Sequence, residues 1–555
     1  MKLSSISRSG IAILGMCLVG FTATHRVVAQ GAVEMEFIDD SNGEPVSARI
    51  TFTKPAKKGI RPKSLLYSGD HWLAEKKFPL SLPTGEYEFF VQRGPEFKAI
   101  RGGFTIEPRA KDVVSVAIPR TVEMHTEHWY SGDHLSSLPI GTLSRWQQAD
   151  AVDLVVSTAE PADVPAPALS PAKASKTKER VEEGAIKESE LVGLKLNTSS
   201  QWLDWQHGSI LLHGVPVSSP SSPNPLAKGT PTTNASTAFQ LLSKAKESEG
   251  VVLELVRLWD RDVPILLGNE SIRSVQFLST SNRPNGDDRI TFSSERGNRT
   301  LQGKVQISRG KERVASEIFA PIPVDDELKF KDARGVGRLS EFLYWQMLEA
   351  GLRLTPTAGS DFAFNDTHLG YNRVYIFSEE EPTKSTWWHA ITKGRTMVTN
   401  GPLLRASVNA LPPGSVQASY RGQPIPLDIV VLLSVRDPVD YLDVIFNGET
   451  IYSAKLEDHY KRGEFPTLEI EQSGWLVIRV VTANEKGYRL ATTAPFYFEF
   501  DGKPRVSRRA VTFFERWLAK SKAAITLSNE LEQLAPRIAQ AEEYWTSRRE
   551  LSNTE

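Results

Sequence analysis

The hydrophobic pattern of this chain changes period along its length. Between residues 33 and 120 it alternates in short runs. Phe37-Ile38 precedes the turn Asp39-Asp40-Ser41-Asn42-Gly43, and Ala48-Arg49-Ile50-Thr51-Phe52 then alternates as a half-buried strand does. Pro83-Thr84-Gly85 turns the chain into Tyr87-Glu88-Phe89-Phe90-Val91. Short strands with turn signals predict a small β-sandwich. From residue 121 the pattern lengthens. A helical stretch at 143–149 leads into the buried run Val152-Asp153-Leu154-Val155-Val156, residues 237–249 read as helix, and 251–255 and 275–278 read as extended. Leu339, Phe342, Leu343, Met347 and Ala350 share one helical face, after which 352–357 runs extended to Gly359-Ser360-Asp361. Strands alternating with helices predict a parallel α/β unit, with ligands at the carboxyl ends of its strands, where Asp361 falls.

Residues 403–503 return to strands, at 427–435, 441–446, 468–482 and 496–500, and predict a second sandwich. Residues 504–555 read as a helical tail. Its apolar stripe is Leu527, Leu531, Leu534, Ile538 and Trp545, with Pro536 expected to kink or restart the helix. The stripe is expected to dock on the body. Two stretches, 160–190 and 216–236, are rich in Pro, Ala, Lys, Glu or Ser and read as loop insertions.

Composition narrows this picture. With 555 residues the chain is too long for a single core. A net charge of -1 argues against a nucleic-acid or anionic-membrane partner. Lys2, Arg8, the apolar stretch 11–21 and Val27-Val28-Ala29 have the form of a signal peptide ending at residue 29, so export to the periplasm or outside is expected. The single cysteine, Cys17, lies inside that segment. A mature chain without cysteine has no disulfides and must bind any metal through His, Asp, Glu or Asn. No later segment is apolar enough to cross a membrane.

Two segments carry candidate chemistry. The first, His125-Thr126-Glu127-His128-Trp129-Tyr130-Ser131-Gly132-Asp133-His134, holds three imidazoles and two carboxylates. It reads either as metal ligands or as turn and surface polars between two modules. The second begins at Thr355-Pro356-Thr357-Ala358-Gly359-Ser360-Asp361. It continues through Gly370-Tyr371-Asn372-Arg373-Val374-Tyr375 and Trp387-Trp388 to Gly394-Arg395-Thr396-Met397-Val398-Thr399-Asn400-Gly401-Pro402-Leu403-Leu404. Taken singly, Gly-Ser-Asp and Asn-Gly-Pro are ordinary turns. No nucleophile elbow and no glycine-rich phosphate loop is present.

The ordered series resembles the secreted CehA/McbA-type metallohydrolases, a branch of the PHP superfamily. The resemblance covers most of residues 33–525. It implies a fold of the class α/β with flanking all-β modules: a PHP-like distorted (β/α)7 barrel over 121–402, between sandwiches at 33–120 and 403–503. It also implies Zn or Mn ions that activate water for attack on a phosphoester or related ester. This chain departs from the pattern at the metal. The two imidazoles that the family places after Ser-Gly-Asp correspond to Leu135 and Ser137, and His134 sits one place early, on the other face of a strand. The family's next motif corresponds to Ser157-Thr158-Ala159-Glu160, and a later His position to Thr280-Ser281-Asn282. The last position of Gly-Ser-Asp-x-His is Ala363.

One carboxylate does not hold a catalytic zinc. Asp361, His134 and His128 are therefore the metal candidates, lined by Asp133, Glu160, Asn282 and Asn400. His207 and His213 could also contribute to a rearranged site, though Gly208 and Gly214 beside them suggest plain turns. Three readings follow. The favoured one is a binding protein for a small molecule, glycan or protein, with catalysis lost. The alternatives are an active hydrolase with a rearranged site around Asp361 and His134, and a structural surface protein with the C-terminal helices as an attachment element.

Overall fold

The structure, a computed structural model, describes residues 30–54, 62, 65–68, 71–109, 111–138, 140–158, 196–205, 207–214, 235–248, 250–279, 321–325, 327–330, 332, 334–362 and 367–555. The segment expected to be a signal peptide, with Cys17, the 160–190 stretch, and the candidates Glu160 and Asn282 lie outside the described residues, as does most of the 216–236 stretch. The helix Ala235–Lys246 starts inside the last of these.

The N-terminal strands form two sheets. Lys77–Pro83, Gln30–Asp39 and Lys111–Ile118 make one; Leu66–Ser68, His71–Ala74, Ala48–Lys54, Gly85–Gln92 and Ile100–Ile106 make the other. Their alternating apolar positions meet in a core that includes Met35, Phe37, Ile50, Phe52, Leu80 and Val91. Pairing two half-apolar sheets buries both faces at once, which gives the sandwich expected from the period-two pattern.

The middle of the chain is mixed α/β. Trp129–Ser136 and Leu154–Ser157 run parallel, and so do Val252–Leu255, Ile272–Leu278 and Thr355–Ala358. The helices Ile140–Asp150, Ala235–Lys246, Gly335–Glu349 and Lys384–Lys393 accompany them. The described strands form two sheets, one containing Trp129–Ser136 and the other running from Gln201–Trp205 to Thr355–Ala358. They meet at both margins: Ser136 bridges Phe362 in parallel, and Ser200, just before Gln201–Trp205, donates its N–H to Ser157 O at 2.9 Å. Two local features shape these sheets. Gln201–Trp205 and Gly208–His213 form a tight hairpin, too short for the crossover that a parallel pair needs. Arg373–Phe377 lies antiparallel along residues 129–132 of Trp129–Ser136, and Phe362 bridges that strand in parallel at Ser136.

The C-terminal strands are not cut off at residue 402. Thr396–Thr399 pairs antiparallel with Leu490–Thr493, so the central sheet runs on through Gly474–Thr482 and Val439–Phe446 to Glu449–Lys455. Leu403–Val408 pairs with Ile429–Ser434 in a separate two-stranded sheet, and both contribute to a core with Leu404, Val444, Ile478 and Phe496. The chain ends in the helices Arg508–Ala523 and Ser528–Glu550. The second continues through Pro536 rather than restarting. Pro536 and Glu532, whose carbonyl loses its partner, are both exposed, so water satisfies that carbonyl. Leu534, Ile538, Ala541 and Trp545 are buried, whereas Leu527 and Leu531 of the expected stripe are exposed. No described helix is long and apolar enough to cross a membrane.

Candidate functional site

The strand Trp129–Ser136 carries the Ser-Gly-Asp motif into the interior. Gly132 is required there by close approach: a Cβ would come within 2.5 Å of the Trp387 ring. Asp133 is fully buried and acts as a main-chain clamp. Its Oδ1 accepts from the N–H groups of Leu135 (3.1 Å) and Ser360 (2.9 Å), and its Oδ2 from Gly370 N–H (2.7 Å). These three donors are backbone, so Asp133 ties three segments together instead of facing a ligand.

The two positions at which imidazoles are expected hold no metal donor set. Leu135 packs with Trp202, Leu211 and Val256. Ser137 Oγ donates to Asp361 Oδ1 at 3.0 Å. Asp361 is buried, follows the strand Thr355–Ala358, and adopts a left-handed φ of 51° that turns the chain toward Phe362. The predicted carboxylate thus stands at a strand end, with a hydroxyl and an aliphatic side chain in place of two imidazoles. These residues do not fit a catalytic zinc or manganese ion, which needs about three protein ligands.

His134 is not brought to Asp361. It faces a different group, as its position one residue early implies. His134 Nδ1 lies 2.9 Å from Glu254 Oε2, and His134 Nε2 accepts from Trp387 Nε1 at 3.2 Å. An acceptor Nε2 leaves the ring proton on Nδ1, directed at the carboxylate. Ser274 Oγ and Gln276 Nε2 also donate to Glu254, at 3.2 and 2.8 Å. His213 completes a trio. Its Nε2 is 3.6 Å from Glu254 Oε2, its Nδ1 is 2.7 Å from Ser200 Oγ, and its ring stacks on Trp388 at 4.2 Å. All three residues are fully buried. Burial alone would push the Glu254 carboxyl up; His134 and His213 outweigh it and hold the group below the usual carboxylate range. Burial keeps His213 below the ordinary imidazole value despite Glu254. The donor set is of the kind that binds zinc, and His213 Nε2 and Gln276 Oε1 are buried without hydrogen-bond partners. Yet His134 and Glu254 stand at hydrogen-bond distance. Two donors on one zinc ion sit about 3.3 Å apart, so an ion must first open that bond.

The remaining candidates disperse. His128 is the left-handed residue closing a short 3-10 turn, φ 64°, with its ring edge-on to Phe377. Asn400 is a turn clamp: its Nδ2 donates to Tyr488 O and its Oδ1 accepts from Leu490 N. The Asn372 side chain likewise donates to Ser279 O and Gly359 O. His213, read as a turn residue, is instead the last residue of a buried strand. Sequence reasoning missed Glu254 altogether. Its signal was present: a carboxylate inside the apolar run Val251-Val252-Leu253-Glu254-Leu255-Val256 must have a partner to be buried there.

His125 pairs with Asp153 at 2.9 Å, and this hydrogen bond, against some burial, raises its pKa to about 9. The folded value lies above the unfolded one. The contact therefore stabilises fully below about pH 6.5 and is lost as pH rises through 9. The His125 side chain is half exposed, so the effect is at most about 1 kcal/mol. An NMR titration is expected to find the His125 midpoint well above that of a free imidazole, and Asp153→Asn to return it to the ordinary value; a midpoint unmoved by Asp153→Asn would contradict the pairing.

No family model matches the chain, and neither does any curated protein.

Proposed function

We propose that this chain is an exported binding protein built on the plan of a CehA/McbA-type metallohydrolase, with its hydrolytic metal position closed. The two sheets, which meet at Ser136 and at Ser157, are on this reading a PHP-like barrel. One observation carries the proposal: Ser137 and Asp361 meet in a 3.0 Å hydrogen bond where the metal would sit, and Leu135 fills the adjacent position with apolar contacts. Without convergent donors there is no activated water and no metal-dependent attack on an ester.

The test is metal content and phosphodiester turnover of the full chain, produced with zinc and manganese supplied. The expected result is no turnover and the same metal content in the wild type and in Asp361→Ala. Stoichiometric zinc or manganese that disappears in Asp361→Ala, together with turnover, would sink the proposal. A second reading rests on the unpartnered His213 Nε2 beside Glu254: a buried ion held by His134, His213 and Glu254. It predicts bound metal that survives Asp361→Ala and is lost in His213→Ala.

A further inference from the structure

Four arginines from separate parts of the chain meet around one cavity of about 330 Å³. Arg49 comes from the N-terminal strand Ala48–Lys54 and Arg373 from the first position of Arg373–Phe377. Arg436 lies in the loop before Val439–Phe446, and Arg489 immediately precedes Leu490–Thr493. The cavity therefore lies where the N-terminal sandwich, the central sheet and the C-terminal strands come together.

Its charges do not balance locally. Arg49 is paired with Asp150 at 2.6 Å and Arg489 with Asp437 at 2.8 Å. Arg373 spends its donors on the main-chain carbonyls of Gly370, Ala151 and Asp150. Among the described residues Arg436 makes one hydrogen bond, from Nη1 to Gly94 O at 2.9 Å, and no ion pair. Two of the four guanidiniums thus have no carboxylate. His368 also lines the cavity but adds no charge, because burial and then Arg49 push its pKa well below the usual imidazole range. Burial, with Arg489, Arg49 and Arg373 nearby, lowers Arg436 to about 10, so it stays charged at neutral pH. Crowded like charges with little solvent between them are unfavourable until a counter-charge arrives.

We propose that this cavity binds a tetrahedral oxyanion, the phosphate group of a small organic ester, with Arg436 gripping it and Arg49, Arg373 and Arg489 supplying the field. Arg436 keeps Nε and Nη2 unspent, the edge of the guanidinium that matches two oxygens of one anion. A phosphate monoester, doubly charged at neutral pH, balances the two unpaired guanidiniums; a sulfate ester or a carboxylate balances one. The volume exceeds what an inorganic ion needs, a water's share being about 30 Å³. The half-buried Phe90 offers an apolar wall for the organic part. The assignment supplies a ligand class for the binding role proposed above, on residues other than Ser137 and Asp361.

The experiment is calorimetric titration of the full chain, at constant ionic strength, with phenyl phosphate, phenyl sulfate, inorganic phosphate and benzoate. Wild type, Arg436→Met and Arg436→Lys are compared, and metal content is measured on the same preparations, so the failure of either proposal is visible without the other. Phenyl phosphate is expected to bind the wild type saturably and more tightly than phenyl sulfate, and Arg436→Met to weaken it about tenfold or more. Arg436→Lys, which keeps the charge but not the fork, is expected to fall between them. Without ligand, Arg436→Met is expected to melt no lower than the wild type, since it removes an unbalanced charge. Equal affinity in wild type and Arg436→Met, or no saturable binding of any anion, would overturn the site. Inorganic phosphate or benzoate binding as tightly as phenyl phosphate would overturn the ester assignment.

Discussion

Trp545→Ala is expected to destabilise the protein by about 3–5 kcal/mol, read as a lower denaturation midpoint in urea. Trp545 is fully buried and stacks on Phe514, with ring centroids 4.6 Å apart and planes within 7°. Its Nε1 donates to Pro264 O at 3.0 Å, joining the last helix to the helix Val263–Asn269 of the α/β unit. The same two helices touch at Gly268, where a Cβ would come within 2.8 Å of the Ala541 backbone. Truncating the indole opens a cavity and removes its hydrogen bond to Pro264 O. The value also bears on function. An attachment element would present its apolar face to a partner, whereas this helix spends that face on its own chain. A loss below about 1 kcal/mol would restore the attachment reading.

Asp133→Ala is expected to cost a similar amount, about 3–5 kcal/mol, since it leaves three buried main-chain N–H groups unsatisfied. Asp133→Asn sharpens the test. The amide can keep the bonds to Leu135 and Ser360, but it turns an NH2 group toward Gly370 N–H. Hydrogen exchange at Gly370 is therefore expected to accelerate in Asp133→Asn more than at Leu135. Equal acceleration at all three amides, or none, would show that Asp133 is not the clamp described here. Gly370 also lines the arginine cavity, so this clamp shapes the wall of the proposed anion site.

The candidate site was legible only where one residue's chemistry is decided by its own strand. Period-two geometry put His134 on the face opposite Leu135 and Ser137, and it does face elsewhere. What lay on that other face was not legible. Glu254 is 120 residues away in sequence, and it reaches His134 through a neighbouring sheet. His213 looked like a turn beside Gly214, because a strand's last residue and a turn's first are the same letter. Asn400 and Asn372 carried the most distinctive local patterns, yet both are clamps. Amide side chains that satisfy main-chain groups leave the same mark on a sequence as those that bind ligands.

The sequence by itself determined the two sandwich-like ends, the α/β middle, the helical tail and the absence of paired imidazoles at Leu135 and Ser137. Each of these depends on local periodicity or on which side chain occupies one position. Only the tertiary structure decided that the strands fall into two sheets that meet at Ser136 and at Ser157, and that the central sheet runs through residue 402 into the C-terminal strands. It alone brought His134, His213 and Glu254 together, and gathered Arg49, Arg373, Arg436 and Arg489 around one cavity. The reason is physical. Edge pairing depends on which strands are left without partners, and buried charge depends on groups far apart in the chain; neither leaves a periodic trace along it.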